Sequence, residues 1–262
     1  MKIYHVDAFT SRLFSGNPAA VVPMEVWAPD EKLQAIAAEN NLPETAFFVK
    51  RSSGEGDFHL RWFTPTTEVN LCGHATLACA HVLFQHLGFG GETIVFSTEN
   101  QGLLSATRRD DRITLDFPSL AREPAEVTTP LVRALGRQPV EVYRSGGNLL
   151  CIFDSKKDVH GIEPDYAEML TLDAFGVIAT APGASHDFVS RFFAPRAGVN
   201  EDPVTGSAHC TLAPYWADKM GKKRLTARQV SARGGDMICE IAGDRVLLSG
   251  DAVTYLEGTI RI

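Results

Sequence analysis

Alternating apolar and polar residues mark several β-strands along the chain. In the segment DFHLRWF, the side chains of Phe58, Leu60 and Trp62 fall on one face of an extended backbone. The segment RITLDF, near residue 112, shows the same period with Ile113 and Leu115. Because successive side chains of a strand point to opposite faces, each segment predicts a strand with one buried face.

Two longer apolar segments predict buried helices. Gly73 and Gly88 enclose HATLACAHVLFQHL, whereas Gly206 and Gly221 enclose SAHCTLAPYWADKM. The early turns are apolar nearly all round, which is typical of a helix surrounded by other elements. Each closing glycine predicts a left-handed C-cap. Pro214 predicts a kink in the second helix or an early end to its regular part.

The second half of the chain repeats the first. RWFTPTTEVN at residue 61 and RFFAPRAGVN at residue 191 share five of ten residues, at a spacing of 130. SGNPAAVV and GGNLLCIF match at a spacing of 131, and DRITL and DRVLL at 133. This period indicates a tandem domain duplication with short insertions. We predict an N-terminal repeat domain over residues 1–118, which the last strand of the chain could join, and a C-terminal repeat domain over residues 130–262.

Composition narrows the class of protein. The chain has 262 residues, of which 44% are hydrophobic and 22% charged, as in an ordinary globular protein. Its net charge of −7, without a Lys/Arg run, argues against a nucleic-acid-binding surface. No apolar stretch approaches the roughly 20 residues that span a bilayer. The start MKIYHVDAF has His5 and Asp7 where a secretory signal would be apolar.

The cysteines and the missing motifs bear on compartment and cofactors. The five cysteines include no CxxC pair, which favours a reducing, cytoplasmic location over a disulfide framework or a zinc site. The sequence contains no HExxH, GxGxxG or P-loop motif. We therefore predict that the protein uses no metal and no organic cofactor.

The segments NLCGHAT and EDPVTGSAH lead into the two predicted buried helices. A helix that begins with glycine and small residues presents free N–H groups, and its dipole favours an anion there. If the duplicated domains face each other, both helix starts can border one cleft. The expected ligand of such a cleft is a small carboxylate-bearing metabolite.

Four motifs together resemble the PhzF-like proteins, which are named for phenazine biosynthesis and related to diaminopimelate epimerase. These motifs are DAFTSRLFSGNPAAVV, NNLPETAFF, FTPTTEVNLCGHATLACAHVL and EDPVTGSAHC. The resemblance runs from residue 2 to the last strand. It implies an α+β, diaminopimelate epimerase-like fold of two duplicated domains, each with a curved or barrel-like β-sheet around a central helix. It also implies a cofactor-independent isomerase and a homodimer.

The resemblance also implies roles for particular residues. Glu44, in NLPETAFF, would be the acid/base that relocates a proton. His74 of CGHAT, with Asp202 and Ser207 of EDPVTGS, would position the substrate and Glu44. The remaining substrate-binding groups would be Asn17, Gly73, Ala75, Gly206 and Ala208. At a spacing of 130, the counterpart of Glu44 is Ala174, which suggests chemistry on one side only.

Two alternatives to this function stay open. The first is a two-base racemase or epimerase, which would need a thiol at each helix start. Cys72 supplies one, but its repeat counterpart is Thr205, whose hydroxyl does not ionise near neutral pH. The second is a non-catalytic binding protein that retains the fold. The sequence names neither the substrate nor the pathway, and a link to phenazine biosynthesis itself does not follow from it.

Overall fold

The computed structural model describes residues 1–109 and 111–262. The chain divides into two units, the first comprising Met1–Phe117 with Leu247–Ile262 and the second Pro118–Val246. The first unit begins with β1 (Lys2–Ala8), β2 (Asn17–Met24), α1 (Asp30–Asn40), β3 (Glu44–Lys50), β4 (Phe58–Phe63), β5 (Glu68–Val69), α2 (Gly73–Gln85), β6 (Thr93–Ser97), β7 (Leu103–Arg109) and β8 (Arg112–Pro118).

The second unit follows directly along the chain. It contains β9 (Glu123–Ala125), α3 (Thr129–Leu135), β10 (Glu141–Ser145), β11 (Asn148–Ile152), α4 (Lys156–His160), α5 (Tyr166–Thr171), β12 (Val177–Pro182), β13 (Phe188–Ala194), a 3-10 turn (Pro195–Ala197), β14 (Val199–Asp202), α6 (Gly206–Met220), β15 (Arg224–Gln229) and β16 (Gly235–Ala242). The chain ends with β17 (Arg245–Gly250), within which the division between the units falls, and β18 (Ala252–Thr259).

The strands of the two units pair in the same scheme. In the first unit, β1–β2 and β3–β4 are antiparallel, β2–β3 and β4–β6 are parallel, and β6–β7 is antiparallel. In the second unit, β10–β11 and β12–β13 are antiparallel, β11–β12 and β13–β15 are parallel, and β15–β16 is antiparallel. Each unit is thus a mixed sheet with the same connectivity, as the duplication predicts.

The predicted strand faces are confirmed. Phe58, Leu60 and Trp62 of β4 are buried, as are Ile113 and Leu115 of β8. Apolar side chains on one face of each strand are removed from water, at about 25 cal/mol per Å² of buried apolar area. This burial fixes the strand register, because a slip of one residue would turn each buried face towards solvent.

Each unit packs its strands around one buried helix. Helix α2 is buried along nearly its whole length and packs against β1, β2, β3 and β7. Helix α6 packs against β15 and β16. Two hydrogen bonds tie α6 to further strands, Trp216 Nε1 to Thr180 Oγ1 at 3.0 Å and Thr211 Oγ1 with Ser145 Oγ at 2.8 Å. The predicted buried helices are confirmed.

The helix ends differ in part from the sequence prediction. Gly221 is the left-handed C-cap of α6, with φ of 65°. Gly88 is also left-handed, with φ of 65°, as predicted. It is not the C-cap itself, because α2 ends at Gln85 and its C-cap is His86 in a right-handed conformation. An early end at Pro214 was wrong, since α6 continues to Met220. The proline removes one backbone donor, but side-chain burial along α6 outweighs that loss.

The division of the chain differs from the predicted boundaries at its second half. We predicted that residues 130–262 form the C-terminal repeat domain, whereas the second unit spans Pro118–Val246. The final strand, β18, belongs to the first unit because it pairs antiparallel along the full length of β1. No helix in the described part of the chain is long and apolar enough to cross a bilayer.

Candidate functional site

Three residues that are distant in sequence meet at the start of α2. Asn17 is the first residue of β2, Glu44 is the first residue of β3, and His74 is the second residue of α2. Strands β2 and β3 lie side by side in parallel, with Glu44 opposite Ala19. The N-terminal ends of two neighbouring strands therefore present Asn17 and Glu44 to the first turn of the helix.

The imidazole of His74 lies between the other two side chains. Asn17 Nδ2 is 3.0 Å from His74 Nδ1, and His74 Nε2 is 3.1 Å from Glu44 Oε2. An amide nitrogen donates, so Nδ1 is the acceptor of this bond, and a neutral imidazole in this arrangement would carry its proton on Nε2. The sequence prediction grouped these three residues in one site, and the structure brings them together.

The Glu44 carboxylate is more exposed than Asn17 and His74, and one of its oxygens lacks a hydrogen bond among the described residues. Asn17 is fully buried and His74 is 4% exposed, whereas the Glu44 side chain is 16% exposed. Although His74 Nε2 lies close, Glu44 Oε2 is buried and makes no hydrogen bond of normal geometry with any residue that the structure describes. A buried, uncommitted carboxylate oxygen is costly for folding, and such groups are concentrated at functional sites.

The position that corresponds to Glu44 in the second unit corrects the sequence alignment. Thr45 pairs with Phe63, and in the second unit Val177 pairs with Phe193. Because Phe63 and Phe193 are equivalent, the counterpart of Glu44 is Gly176 and not Ala174. The spacing changes from 130 to 132 because the loop between β3 and β4 is two residues longer than that between β12 and β13.

Gly176 leaves no space for a functional side chain. A Cβ atom there would lie 2.7 Å from the ring of Phe192 and 2.9 Å from the carbonyl oxygen of Phe193. These distances are shorter than side chains tolerate. The first unit therefore places a carboxylate where the second unit packs an aromatic ring, and the asymmetry predicted from Ala174 holds at the corrected position.

Cys72 and Thr205 occupy the same place in the two units. Each is the N-cap of its buried helix, and neither side chain makes a capping hydrogen bond. Cys72 Sγ lies 3.5 Å from His74 Nδ1. Thr205 Oγ1 donates to Asp202 Oδ2 at 2.5 Å. The thiol of the first unit is therefore replaced by a hydroxyl that holds a carboxylate.

Gln229 organises the loop that precedes α6. Its Oε1 accepts from Thr205 N at 2.9 Å, while its Nε2 donates to Asp202 O at 2.7 Å and to Thr205 Oγ1 at 3.1 Å. Ser231 Oγ donates to Pro203 O at 2.8 Å in the same loop. Sequence reasoning missed Gln229, because a glutamine at the end of a strand gives no local signal.

The other predicted residues lie at the two helix starts. Asp202 is the half-buried last residue of β14, and Ser207 is the exposed second residue of α6. Helices α2 and α6 begin at Gly73 and Gly206, as predicted. The N–H groups of these first turns lie where an anion would bind, with Ala75 and Ala208 in the first turns. That both helix starts serve one site stays a prediction.

Ligand atoms suited to a metal ion also meet at the first helix start. One ligand atom each from Glu44, Cys72 and His74 lie within 4.8 Å of one another. The sequence shows no metal-binding motif here, because the three ligands are not close together along the chain. Cys72 and His74 lie in NLCGHAT at the start of α2, whereas Glu44 lies at the start of β3.

Comparison with known proteins identifies the same family that the sequence motifs resemble. The family profile described as "Phenazine biosynthesis-like protein" matches residues 6–258. An uncharacterized isomerase of Pseudomonas aeruginosa is 51% identical, over 100% of this chain and 99% of its own. A PhzF-family crystal structure from Enterococcus faecalis has 43% identity and a TM-score of 0.95, covering 100% of this chain and 99% of its own.

A more distant structure bears on the fold alone. A predicted epimerase from Pseudomonas aeruginosa is 19% identical, with a TM-score of 0.75, over 99% of this chain and 98% of its own. Together with the duplicated mixed sheets, this likeness shows the α+β, diaminopimelate epimerase-like fold that the sequence predicted. The chain is therefore an isomerase that belongs to the phenazine biosynthesis-like, or PhzF, family.

Proposed function

We propose that this isomerase moves a proton within a small carboxylate-bearing substrate, with Glu44 as its only acid/base. The observation that supports this most strongly is the buried Oε2 of Glu44, which no described residue engages in a hydrogen bond of normal geometry. That oxygen can accept a proton from a bound substrate. The adjacent Nε2–H of His74, at 3.1 Å, can stabilise the carboxylate before it takes the proton.

The proposed reaction needs one group that works in two directions. Glu44 removes a proton from a carbon activated by an adjacent π-system or carboxylate, and then returns it to another carbon on the same face. General acid–base catalysis of this kind contributes about 10²–10⁴-fold. It requires no nicotinamide, flavin or metal to take part in the step.

The remaining predicted residues would bind the substrate. Asn17 fixes the ring of His74, so that Nε2–H faces Glu44. The first-turn N–H groups of α2 would bind a substrate carboxylate, with the helix dipole adding to the hydrogen bonds. A contribution of α6 to the same site stays a prediction. Asp202 is held by Thr205 and, through the backbone, by Gln229, and with Ser207 it would orient the substrate.

One observation favours this mechanism over a racemase that uses two thiols. A racemase of the two-thiol kind would need a second base at the N-cap of α6. Thr205 stands there, and its hydroxyl donates to Asp202, so the residue holds a neighbouring carboxylate. A single carboxylate then accounts for both proton removal and proton return.

The test is a screen for C–H exchange in deuterated water. Cyclic and unsaturated amino acids and hydroxy acids are incubated with the protein and followed by NMR. The expected result is a constitutional isomer of one substrate, with its hydrogen moved to a different carbon. Inversion at the same carbon, without movement of a double bond, would contradict the proposal and favour a racemase.

A further inference from the structure

We propose that Cys72, His74 and Glu44 form a binding site for Zn²⁺ or a similar thiophilic divalent cation. The three side chains offer a thiolate, an imidazole and a carboxylate, and one ligand atom of each lies within 4.8 Å of the other two. Sites with three protein ligands of these types and one open position bind zinc in many enzymes. The proposed site lies wholly within the first unit.

Two of the three distances between ligand atoms are close to those of a tetrahedral zinc site. Bonds of about 2.3 Å to sulfur and about 2.0–2.1 Å to nitrogen and oxygen place tetrahedral ligand atoms about 3.3–3.6 Å apart. His74 Nε2 lies 3.1 Å from Glu44 Oε2 and 3.9 Å from Cys72 Sγ. Cys72 Sγ and the Glu44 carboxylate lie within 4.8 Å of each other, so these two side chains would turn towards the ion to complete the geometry.

The chemistry of the ligands selects the class of ion. Thiolate and imidazole favour Zn²⁺ and its neighbours in the first transition row, whereas Mg²⁺ and Ca²⁺ prefer oxygen ligands alone. The Glu44 side chain is 16% exposed, so the carboxylate can be reached from solvent. As the zinc–sulfur bond forms, the thiol proton of Cys72 passes to solvent.

Asn17 can adapt the imidazole to the ion. For His74 Nε2 to bind a metal, the ring proton must lie on Nδ1. The amide of Asn17 already faces Nδ1 at 3.0 Å, and a half-turn of that amide would present Oδ1 as an acceptor. A partner of this kind on the second ring nitrogen strengthens metal binding by histidine.

Bound zinc would block the carboxylate. A Glu44 oxygen that coordinates the ion cannot take a proton from a substrate, so the ion would act as an inhibitor. This consequence rests on the proposed function, but binding of the ion itself does not.

The test uses the full chain, freed of metal by a chelator. Zn²⁺ is titrated by calorimetry, and Co²⁺ is added as a spectroscopic probe of thiolate ligation. We expect one ion per chain and a near-ultraviolet thiolate-to-cobalt absorption band. Cys72→Ser should abolish the band and weaken Zn²⁺ binding by at least about 10²-fold. Thr205 occupies the matching N-cap of α6, so a hydroxyl is compatible with such a helix start.

A matched control separates this site from surface binding. His186 Nε2 lies 3.0 Å from Asp236 Oδ1, a half-exposed His–carboxylate pair in the second unit. His186→Asn should leave the zinc affinity and the cobalt band unchanged, and Mg²⁺ should not compete. A wild-type chain that binds no Zn²⁺, or a folded Cys72→Ser chain with undiminished affinity, overturns the proposal. No turnover is measured, so either result leaves the proton-transfer proposal standing.

Discussion

At the scale of single residues, His74 links Asn17 to Glu44. The amide of Asn17 lies 3.0 Å from one ring nitrogen, and the carboxylate of Glu44 lies 3.1 Å from the other. In a neutral imidazole one nitrogen accepts and the other donates, so a partner on Nδ1 decides what Nε2 presents to the carboxylate. Asn17 is therefore expected to control the state of the proposed base without touching it.

Replacing Asn17 tests this control directly. In Asn17→Asp, a carboxylate would face Nδ1 and draw the ring proton to that nitrogen. We expect nitrogen-15 NMR to show the Nε2–H form of His74 in the wild-type chain and the Nδ1–H form in the variant. Asn148→Asp, at the matching first position of β11, should leave the His74 signals unchanged. The Nδ1–H form in the wild-type chain would contradict this assignment.

The sequence identified the members of this site better than their arrangement. Asn17, Glu44 and His74 were named because the motifs that contain them resemble those of PhzF-like proteins. Sequence did not show which atoms meet, since that depends on the parallel register of β2 and β3. The counterpart of Glu44 was wrong by two positions, because a constant spacing ignores the longer loop after β3.

At the scale of elements, the start of α6 depends on a residue outside the helix. The N-cap Thr205 makes no capping hydrogen bond with its own side chain. Gln229, at the end of β15, instead bonds Thr205 N, Thr205 Oγ1 and Asp202 O. Such a long-range replacement for a local cap is not visible in sequence, because capping signals are read within one turn of the helix.

Loss of Gln229 should therefore destabilise the second unit. Three hydrogen bonds, two of them buried and one partly buried, at about 1 kcal/mol each predict a loss of about 3 kcal/mol in Gln229→Ala. Urea unfolding, followed by circular dichroism, measures the change. Gln138→Ala removes an exposed glutamine of the same unit and should change the free energy of unfolding by less than about 0.5 kcal/mol. Equal effects of the two substitutions would argue against this role of Gln229.

His209 gives α6 a dependence on pH. The ring is fully buried, Nδ1 donates to Thr205 O at 2.8 Å, and burial lowers the pKa of His209 to about 4. The unfolded chain then binds more protons than the folded chain between pH 6.5 and 4. Stability due to this group is present above pH 6.5 and is lost as the pH falls towards 4.

The expected loss between pH 7 and 5 is about 2 kcal/mol. In His209→Gln, the free energy of unfolding should lose about that much of its pH dependence. Burial and the neighbouring His86 also lower the pKa of His81 to about 4, so a slope of the same sign should remain. His160→Gln, at an exposed position, should keep the wild-type slope. An unchanged slope in His209→Gln would show that His209 is not buried neutral.

At the scale of the whole molecule, the two duplicated units differ in the number of chain segments that form them. The second unit is one continuous segment, whereas the first unit needs the C-terminal strand. β18 pairs with β1 from Lys2↔Thr259 to Ala8↔Ala252. The internal repeat in the sequence showed that the chain has two halves. It did not show which half the last strand joins, because the alternation of apolar and polar residues does not determine which strand pairs with which.

Removal of β18 should therefore affect the first unit. A chain ending at Asp251 leaves one edge of β1 without its partner. We expect faster amide hydrogen exchange in β1 and α2, and unchanged exchange in β12 and β13. Hydrogen–deuterium exchange with mass spectrometry resolves these segments. An equal loss of protection in both units would contradict the division at Phe117 and Leu247.

The predicted homodimer and cytoplasmic location stay predictions.

The central claim, that one carboxylate transfers the proton, is tested most directly by kcat for Glu44→Gln beside Cys72→Ala. The substrate is the compound that the exchange screen identifies. Glutamine keeps the size of Glu44 and removes its titrating group, so kcat should fall by at least about 10²-fold with substrate binding largely intact. Cys72→Ala should keep most of the activity, because Thr205 provides no partner thiol. An active Glu44→Gln enzyme beside an inactive Cys72→Ala enzyme would contradict the account.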